Sequence, residues 1–545
     1  MRLRDRLAGI CRADWIALAC LAGLWTIPLL LIGTHGDFPL NDDWAYARTV
    51  RALVTTGRFE RVPWTWVPLV TQALIGGAFA SVAGFSHSAL RASGCFMGGL
   101  GVLGSYVLCR QAGARPALAT LAAATVGLNP VWLNLSYTFM TDVPFATLVT
   151  WSLVAGVRAG RLDSWPALGS ATLLALAAIL TRQTGLAIPL AFALSIWAAA
   201  PRSRRAWVLG LVSIGAVVGV YAGVESLLLS REGSKLYTFT DYRQVFLTNP
   251  TLLFQIAKNG VVTAIYLGAF LLPVTLLKAR RGSAGLLHGA AWAGALVAVL
   301  GVWRMHLALP PGINVIRNLG LGPVGMRGAD ALPSLGPGLW WILTAAGGAG
   351  AGLAAALALR DLAHRWRVGE WSAGRLLLLA LPLVYLAPQI ARSPYFDRYL
   401  MAVLPALVAF VSSAYVGDSP PARWRWAAAS TVLAGLAAFG IAGTHDYLER
   451  ARTKWALCDE LFARGISDRQ IDAGQEFNGW FMDFEHPFRT TVRLWVYDDE
   501  YVLSASPRRE GYRVDARRSY RRWLPPGRES VWVLHRERPP EGDSP

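Results

Sequence analysis

The chain has 545 residues, of which 54% are hydrophobic and only 16% are charged. A soluble globular protein carries about 25% charged residues, whereas this chain repeats apolar runs of about 17–22 residues, the length that crosses a bilayer core. The composition excludes a soluble protein and predicts an α-helical polytopic membrane protein. The net charge of +18 does not indicate nucleic-acid binding, because Lys and Arg collect on the cytoplasmic loops of membrane proteins.

The apolar runs predict about 13 transmembrane helices. The least obvious division separates 166–181 from 183–200, and it keeps the basic residues of 202–205 and 278–281 on one side of the membrane. The first span follows a basic N-terminus and is read as an uncleaved segment, because it is long and lacks a small-residue cleavage site. The predicted spans are 15–34, 88–109, 116–133, 143–158, 166–181, 183–200, 206–228, 261–277, 284–303, 338–359, 373–391, 397–416 and 425–443.

Charge supports this layout and orients it. With the N-terminus in the cytoplasm, each inner loop is basic, as the positive-inside rule requires. The residues concerned are Arg2, Arg4, Arg6, Arg12, Arg110, Arg115, Arg158, Arg161, Arg202, Arg204, Arg205, Lys278, Arg280, Arg281, Arg360, Arg365, Arg367, Arg423 and Arg425.

The segments on the outer side are longer and mix acids, aromatics and prolines. The first outer loop, 35–87, contains an apolar piece from Val67 to Phe85 that is predicted to lie in the membrane interface, since another span there would invert the following loops. After the membrane domain, 1–443, the composition becomes polar, and strand-like pieces alternate with Gly and Pro. Residues 444–545 are therefore predicted to form a small extracytoplasmic α/β domain, ending in a disordered tail at 538–545.

Two adjacent carboxylates, Asp42 and Asp43, follow the first span. Either residue could serve only to cap a helix that begins near Trp44. The alternative is a general base, because a carboxylate at a membrane surface with a like charge beside it binds protons more readily. Asp142 offers the same choice: it precedes Pro144 at a helix start, and on this topology it lies on the same face as Asp42. It could orient an acceptor, help to hold a metal or position the basic groups.

Cations at the outer ends of spans run against the positive-inside trend. Arg182, Arg392 and Arg398 are of this kind, and an arginine fork suits a phosphate group because it makes two parallel hydrogen bonds. A salt bridge, for example to Asp397, is the structural alternative. His306 is the other polar candidate, although a lone histidine is more often a hydrogen-bonded loop residue than a ligand.

Several of these segments, in this order, resemble the GT-C glycosyltransferases, which include aminoarabinose lipid A transferases and protein mannosyltransferases. Asp42 to Arg48, with Tyr46 between them, is similar to the acidic motif of the first outer loop in that superfamily. The further matching segments, which cover most of 10–443, are Val67–Leu69, Thr141–Pro144, Leu180–Gly185, and Asp397–Leu400 with Pro405.

The resemblance implies a polyprenyl-phosphate sugar donor, used on the outer face of the plasma membrane with inversion. It implies Asp42 as the base, supported by Asp43, and Asp142 is the further catalytic candidate. Together with the residues chosen above, the candidate substrate-binding residues are Tyr46, Arg48, Arg182, His306, Arg392, Arg398 and Tyr399.

The acceptor stays open between lipid A, another glycan and a protein. Thr65 and Trp66 stand where the aminoarabinose enzymes have Glu and Lys, so their sugar and zinc do not transfer directly. No cofactor is assigned, and a divalent metal is left open. The sequence contains no CxxC pair, so no zinc knuckle is predicted. Two other classes of function are considered: a transporter of lipid-linked sugars, and a non-catalytic envelope scaffold. The first is disfavoured because acids gather at the outer-face ends of spans and no inverted repeat is seen.

Overall fold

The computed structural model describes residues 11–160, 164–229, 248–278, 284–312, 314–414, 421–482 and 496–537. Some residues of the predicted basic loops (Arg2, Arg4, Arg6, Arg161, Arg280 and Arg281) and the predicted tail at 538–545 lie outside these ranges.

Helices dominate the N-terminal half. In chain order they are α1 (Arg12–Ile32), α2 (Asp43–Thr56), α3 (Val70–Ala83), α4 (His87–Gln111), α5 (Pro116–Gly127), α6 (Pro130–Ser136), α7 (Asp142–Ala159), α8 (Trp165–Thr181), α9 (Ala187–Ala199) and α10 (Arg204–Leu229). A 3-10 turn, Gln183–Leu186, separates α8 from α9, at the place where the sequence predicts the division of 166–200.

The second half continues the bundle and ends in a sheet. Its helices are α11 (Leu252–Lys278), α12 (Ala284–Arg304), α13 (Pro337–Val368), α14 (Ala373–Ile390), α15 (Leu404–Ser412), α16 (Arg423–Ala463) and α17 (Gln475–Trp480). The strands are β1 (Ile316–Arg317), β2 (Gly320–Leu321), β3 (Ile471–Asp472), β4 (Tyr501–Ser504), β5 (Tyr512–Trp523) and β6 (Pro526–Arg536).

Within the described ranges, eight helices are long and apolar enough to cross a membrane, or nine if the bent pair α5 and α6 counts as one span. Three shorter apolar segments, Val70–Ala83, Trp165–Thr181 and Gln183–Ala199, add to these. The prediction of a polytopic helical protein with a small C-terminal sheet region is confirmed. The number of 13 spans, their orientation and the interfacial role of α3 stay predictions.

Two predicted spans differ in shape from the expectation. The segment 116–133 is not one straight helix, because the chain bends by 60° between α5 and α6. Asn129 accepts hydrogen bonds from the amides of Val131 and Trp132, and Pro130 occupies the first position of α6, so a new helix starts there. The segment 397–416 begins as a 3-10 turn, Asp397–Ala402, and becomes α-helical only in α15.

Glycine lets the helices of the second half approach closely. A Cβ atom on Gly268 of α11 would collide with the carbonyl oxygen of Gly347 in α13, and one on Gly294 of α12 would collide with that of Gly348. Small residues at such crossings allow backbone-to-backbone packing in membranes, where apolar side chains gain nothing by leaving lipid. The chain thus builds a rigid group of α11, α12 and α13.

Buried charges mark the end of the bundle away from the C-terminal sheet. Asp361 accepts hydrogen bonds from Nε of Arg365 at 3.1 Å and Nε of Arg375 at 2.7 Å. Arg375 also donates to Oγ of Ser413 and to the carbonyl of Phe410. We call Asp361, Arg365 and Arg375 the far-end cluster. Arg375 lies in the first turn of α14, and the last residue of that helix, Ile390, lies about 22 Å away and leads to the candidate site.

The C-terminal region is attached through one long helix. α16 has 41 residues and continues without a break past residue 443, where the sequence divides the chain into two domains. Beyond it, a four-stranded sheet has the order β3-β4-β6-β5, with β3 parallel to β4 and the other pairs antiparallel. Asp446 of α16 accepts the amides of Trp523 and Leu524, which fixes the β5–β6 turn against the helix.

Candidate functional site

Asp42 immediately precedes α2, but its side chain makes no capping hydrogen bond. Its Oδ1 instead accepts two side-chain donors, Nε1 of Trp64 at 3.1 Å and Nε2 of Gln475 at 2.9 Å. The carboxylate is therefore held from the first outer loop on one side and from the C-terminal region on the other. The interpretation of Asp42 as a helix cap is wrong.

Asp43 has a different environment, although it is the next residue. Its side chain is buried and accepts the backbone amides of Leu40 at 2.5 Å and Phe139 at 3.0 Å, one on each oxygen. Burial raises the pKa of Asp43 to about 7, against the opposing effect of these two N–H groups. Asp43 therefore ties the start of α2 to the segment before α7.

Asp142, at the first position of α7, pairs with an arginine from the next helical hairpin. Its Oδ1 lies 2.6 Å from Nη1 of Arg182, which also donates to Oγ1 of Thr141 at 3.2 Å. Arg182 reaches this position because α8 ends there, and the extended backbone at Arg182 precedes the 3-10 turn. The guanidinium of Arg182 lies 5.9 Å from the ring centre of Tyr399.

Arg398 completes this group from the segment before α15. Its Nε is 3.9 Å from Oδ1 of Asp142, too long for a hydrogen bond, and its guanidinium stacks at 4.9 Å over the ring of Phe396. Asp397, the predicted alternative partner, points elsewhere and accepts the amides of Val315 and Ile316. The backbone anchor at Asp397 thus leaves the arginine beside it turned toward Asp142.

Three polar atoms in this group are buried without a hydrogen-bond partner in the described structure. They are Nε and Nη1 of Arg398 and Oδ2 of Asp142. Buried donors are almost always paired in folded proteins, so unpaired ones mark a place for a ligand or water. Each of these unpaired guanidinium nitrogens can donate to an oxygen of a phosphate group.

Charge interactions connect these residues to Asp42. Burial raises the pKa of Asp42 above its ordinary value, while the positive charge of Arg398 lowers it and the negative charge of Asp142 raises it. Tyr46 is also buried, and burial together with the charge of Asp42 raises its pKa. We call Asp42, Tyr46, Asp142, Arg182 and Arg398 the acid–arginine cluster.

The other predicted site residues have different positions. Arg48 donates from Nη1 to the carbonyl of Met482 at 2.7 Å, a contact with the C-terminal region. His306 is exposed just after α12 and has a positive φ of 50°; no described contact joins it to the cluster. Arg392 follows α14, and its carbonyl accepts from Asn259 at 2.9 Å. The substrate-binding roles of these three residues stay predictions.

Three further residues shape the site and were missed by sequence reasoning. Gln475 and Trp64 hold Asp42, and no local pattern distinguishes them from other loop residues. Arg91 is different, because it is an arginine inside an apolar helix, which is itself a signal of function or pairing. Its guanidinium donates to the carbonyls of Thr34, Gly36, Phe38 and Tyr137, and so fixes the first outer loop.

The part of the chain that the structure describes contains no set of side chains that could hold a metal ion. No group of three or more His, Cys, Asp or Glu side chains comes together there. Asp42 and Asp142 alone supply fewer ligands than a protein site for Zn²⁺ usually has.

One segment of the chain is similar to a known protein family. Residues 67–222 match the family model of dolichyl-phosphate-mannose-protein mannosyltransferase, and this segment carries Asp142 and Arg182. The match covers less than a third of the chain and indicates a glycosyltransferase similar to this family. A comparison with curated proteins gave no match.

Solved structures of two kinds are similar. ArnT from Cupriavidus metallidurans, bound to undecaprenyl phosphate, aligns over 96% of this chain and 98% of its own at 15% identity and a TM-score of 0.41. The same protein in its apo state aligns over 95% and 97%, at 15% identity and a TM-score of 0.38. The S. cerevisiae Pmt1–Pmt2 complex bound to its sugar donor aligns over 41% of this chain at 16% identity and a TM-score of 0.35. This chain spans 35% of that yeast chain.

Proposed function

We propose that this protein transfers a sugar from a polyprenyl phosphate to an acceptor of the cell envelope, with inversion at the anomeric carbon. The observation that carries the proposal is the buried Arg398, whose unpaired N–H groups lie in the same cluster as the carboxylate of Asp42. The guanidinium of Arg398 suits a leaving phosphate, and the carboxylate of Asp42 suits an incoming acceptor.

The proposed reaction is a single in-line displacement. Asp42 takes the proton from the acceptor O–H or N–H as its lone pair attacks the anomeric carbon. The bond from that carbon to the phosphate oxygen breaks, and its electron pair remains on the phosphate. Arg398 binds this developing charge, and Arg182 stays paired with Asp142 beside it. One displacement gives inversion, and no nucleotide is needed.

The placement in the cell follows from charge. The C-terminal region and Asp42 touch each other, so they lie on one side of the membrane. The basic loops are predicted on the other side, in the cytoplasm. We therefore place catalysis on the extracytoplasmic face of the plasma (inner) membrane. A reporter fused after residue 545 that requires the cytoplasm to fold should be inactive; an active one would contradict this orientation.

Replacing Asp42 with Asn tests the proposal most directly. The amide keeps the shape but cannot accept the proton, so we expect transfer to fall by about 10²–10⁴-fold in membranes with an unchanged amount of protein. Asp37 is the matched control, because it is an acid of the same loop that binds His87 and has a largely exposed side chain. Asp37→Asn should keep nearly full activity. Full activity of Asp42→Asn would remove the base assignment.

Purified protein in liposomes, given radiolabelled polyprenyl-phosphate sugar, separates the classes of function. Transfer of label to an acceptor supports the enzyme. Movement of the intact lipid across the bilayer without transfer would indicate a transporter, and neither result would indicate a scaffold. Supplying lipid A, an envelope glycan or a peptide in separate reactions identifies the acceptor.

A further inference from the structure

A residue of the C-terminal region makes direct contact with the proposed base. Gln475 lies 433 positions from Asp42 in the sequence, yet its Nε2 donates to Oδ1 of Asp42 at 2.9 Å. Trp64 donates to the same oxygen at 3.1 Å. Both donors thus hold one oxygen of the carboxylate, and the other, Oδ2, accepts no hydrogen bond from any described residue. Oδ2 is therefore the oxygen available to an acceptor.

The peptide that carries Gln475 is held rigidly in its own region. The buried carboxylate of Asp472 accepts from Nε of Arg327, the amide of Gly474 and Nδ2 of Asn478. The amide of Gln475 itself donates to the carbonyl of Gly325 at 3.2 Å. Contacts of the residues before and after Gln475, and of its own backbone amide, therefore fix the place from which its side chain extends.

A buried ion pair connects the same peptide to the last long helix. Glu476 accepts from Nζ of Lys454 in α16 at 2.7 Å, and both side chains are almost fully buried. A buried pair holds its partners in one geometry, because breaking it leaves an uncompensated charge.

A third set of contacts holds α17 against α2, the helix that begins beside Asp42. A Cβ atom on Gly479 would collide with the ring of Trp44, so the two helices touch there. The guanidinium of Arg51 lies 4.7 Å from the ring centre of Trp480. These contacts keep Gln475 and Asp42 together through packing that does not involve their own side chains.

We propose that Gln475 is a positioning residue for Asp42: its amide holds Oδ1 so that Oδ2 faces the acceptor. This inference rests on the proposed role of Asp42 as the base. It gives the C-terminal region a part in the active site, in addition to any binding of substrate. Because the donor is a neutral amide, it orients the carboxylate and stabilises its charged form without supplying a full countercharge.

The test is the pH dependence of transfer in Gln475→Leu and Gln475→Glu, measured on the full-length protein in liposomes. Loss of a hydrogen bond to a charged group should lower the rate by about 10-fold in Gln475→Leu. Without this donor the carboxylate binds protons more readily, so the acid limb of the profile should move to higher pH. In Gln475→Glu a like charge replaces the donor, and the limb should move further in the same direction.

Gln470→Leu is the matched control, because it makes the same change in the same region. Gln470 donates to Glu500 at 2.7 Å, away from Asp42, and its variant should keep the wild-type profile. A purely structural role of Gln475 predicts less folded protein with an unshifted acid limb, and that result overturns the inference. The Asp42→Asn variant separates the two proposals. If it is inactive while Gln475→Leu has a wild-type profile, the positioning role fails alone; if it is active, the base assignment fails first.

Discussion

Two groups of buried charged residues lie near opposite ends of α14, and they differ in how fully their hydrogen bonds are satisfied. In the far-end cluster, Arg375 donates to Asp361, Ser413 and Phe410, so its guanidinium is engaged on every side. In the acid–arginine cluster, Arg398 keeps two buried nitrogens without partners. A structural ion pair needs all of its hydrogen bonds filled, whereas buried donors without a protein partner are available to a substrate. The difference lies in hydrogen-bond satisfaction, because both clusters are buried and charged.

Arg398→Ala tests this comparison and should have the largest effect on the reaction rate. Under the proposed mechanism Arg398 stabilises the charge that grows on the leaving phosphate, so its removal should reduce kcat by about 10²–10³-fold. The melting temperature should be unchanged or higher, because buried unpaired donors are removed with the side chain. Arg398→Lys keeps the charge but not the fork and should recover part of the rate. Rates per folded molecule and thermal unfolding in detergent measure both quantities; a stability loss with normal kcat would contradict the ligand role.

Arg375→Met should show the opposite pattern. Its loss removes one partner of the buried Asp361, although Arg365 remains, so we expect destabilisation by about 3 kcal/mol. The measurable result is a lower melting temperature and less protein in the membrane. The kcat per folded molecule should stay as in the wild type, since the substituted side chain lies at the other end of α14. A selective loss of kcat without unfolding would show that the far-end cluster also acts in the reaction.

The smallest expected effect concerns Asp43 and pH. Burial raises the pKa of Asp43 to about 7, so the folded state favours the neutral carboxyl. Its contribution to stability is complete at pH values below the ordinary carboxyl pKa, about 4, and is lost as pH rises to about 7. Asp43→Asn cannot ionise. Its melting temperature should therefore improve relative to the wild type by a few degrees between pH 5 and pH 8, and parallel curves would contradict this.

The sequence predicts the helical membrane class, and charge supports the order of segments. The resemblance of Asp42, Asp142, Arg182 and Arg398 to one family's motifs suggests a common site, and the structure brings these four together. These predictions work because apolar length and short motifs are local properties of a sequence. The bend at Pro130 had a local signal as well, in the Asn129 that precedes it, although the length of the apolar run outweighed it.

Other features depend on contacts that no local pattern encodes. Asp42 and Asp43 are neighbours of one residue type, and only the fold shows that one binds side chains and the other binds the amides of Leu40 and Phe139. The role of Gln475 requires the C-terminal region to fold back onto α2. His306, chosen for its residue type, has no such contact in the described structure.

The unbroken course of α16 has a mechanical consequence. At 41 residues it is about 62 Å long, roughly twice the thickness of a bilayer hydrocarbon core. Its apolar part is expected to contact lipid. Beyond that part, Lys454 forms an ion pair with Glu476, the residue that follows Gln475. A helix tilts to match bilayer thickness, and a stiff rod carries that tilt to both of its ends. Acyl-chain length is therefore expected to affect the contact between Gln475 and the proposed base, Asp42.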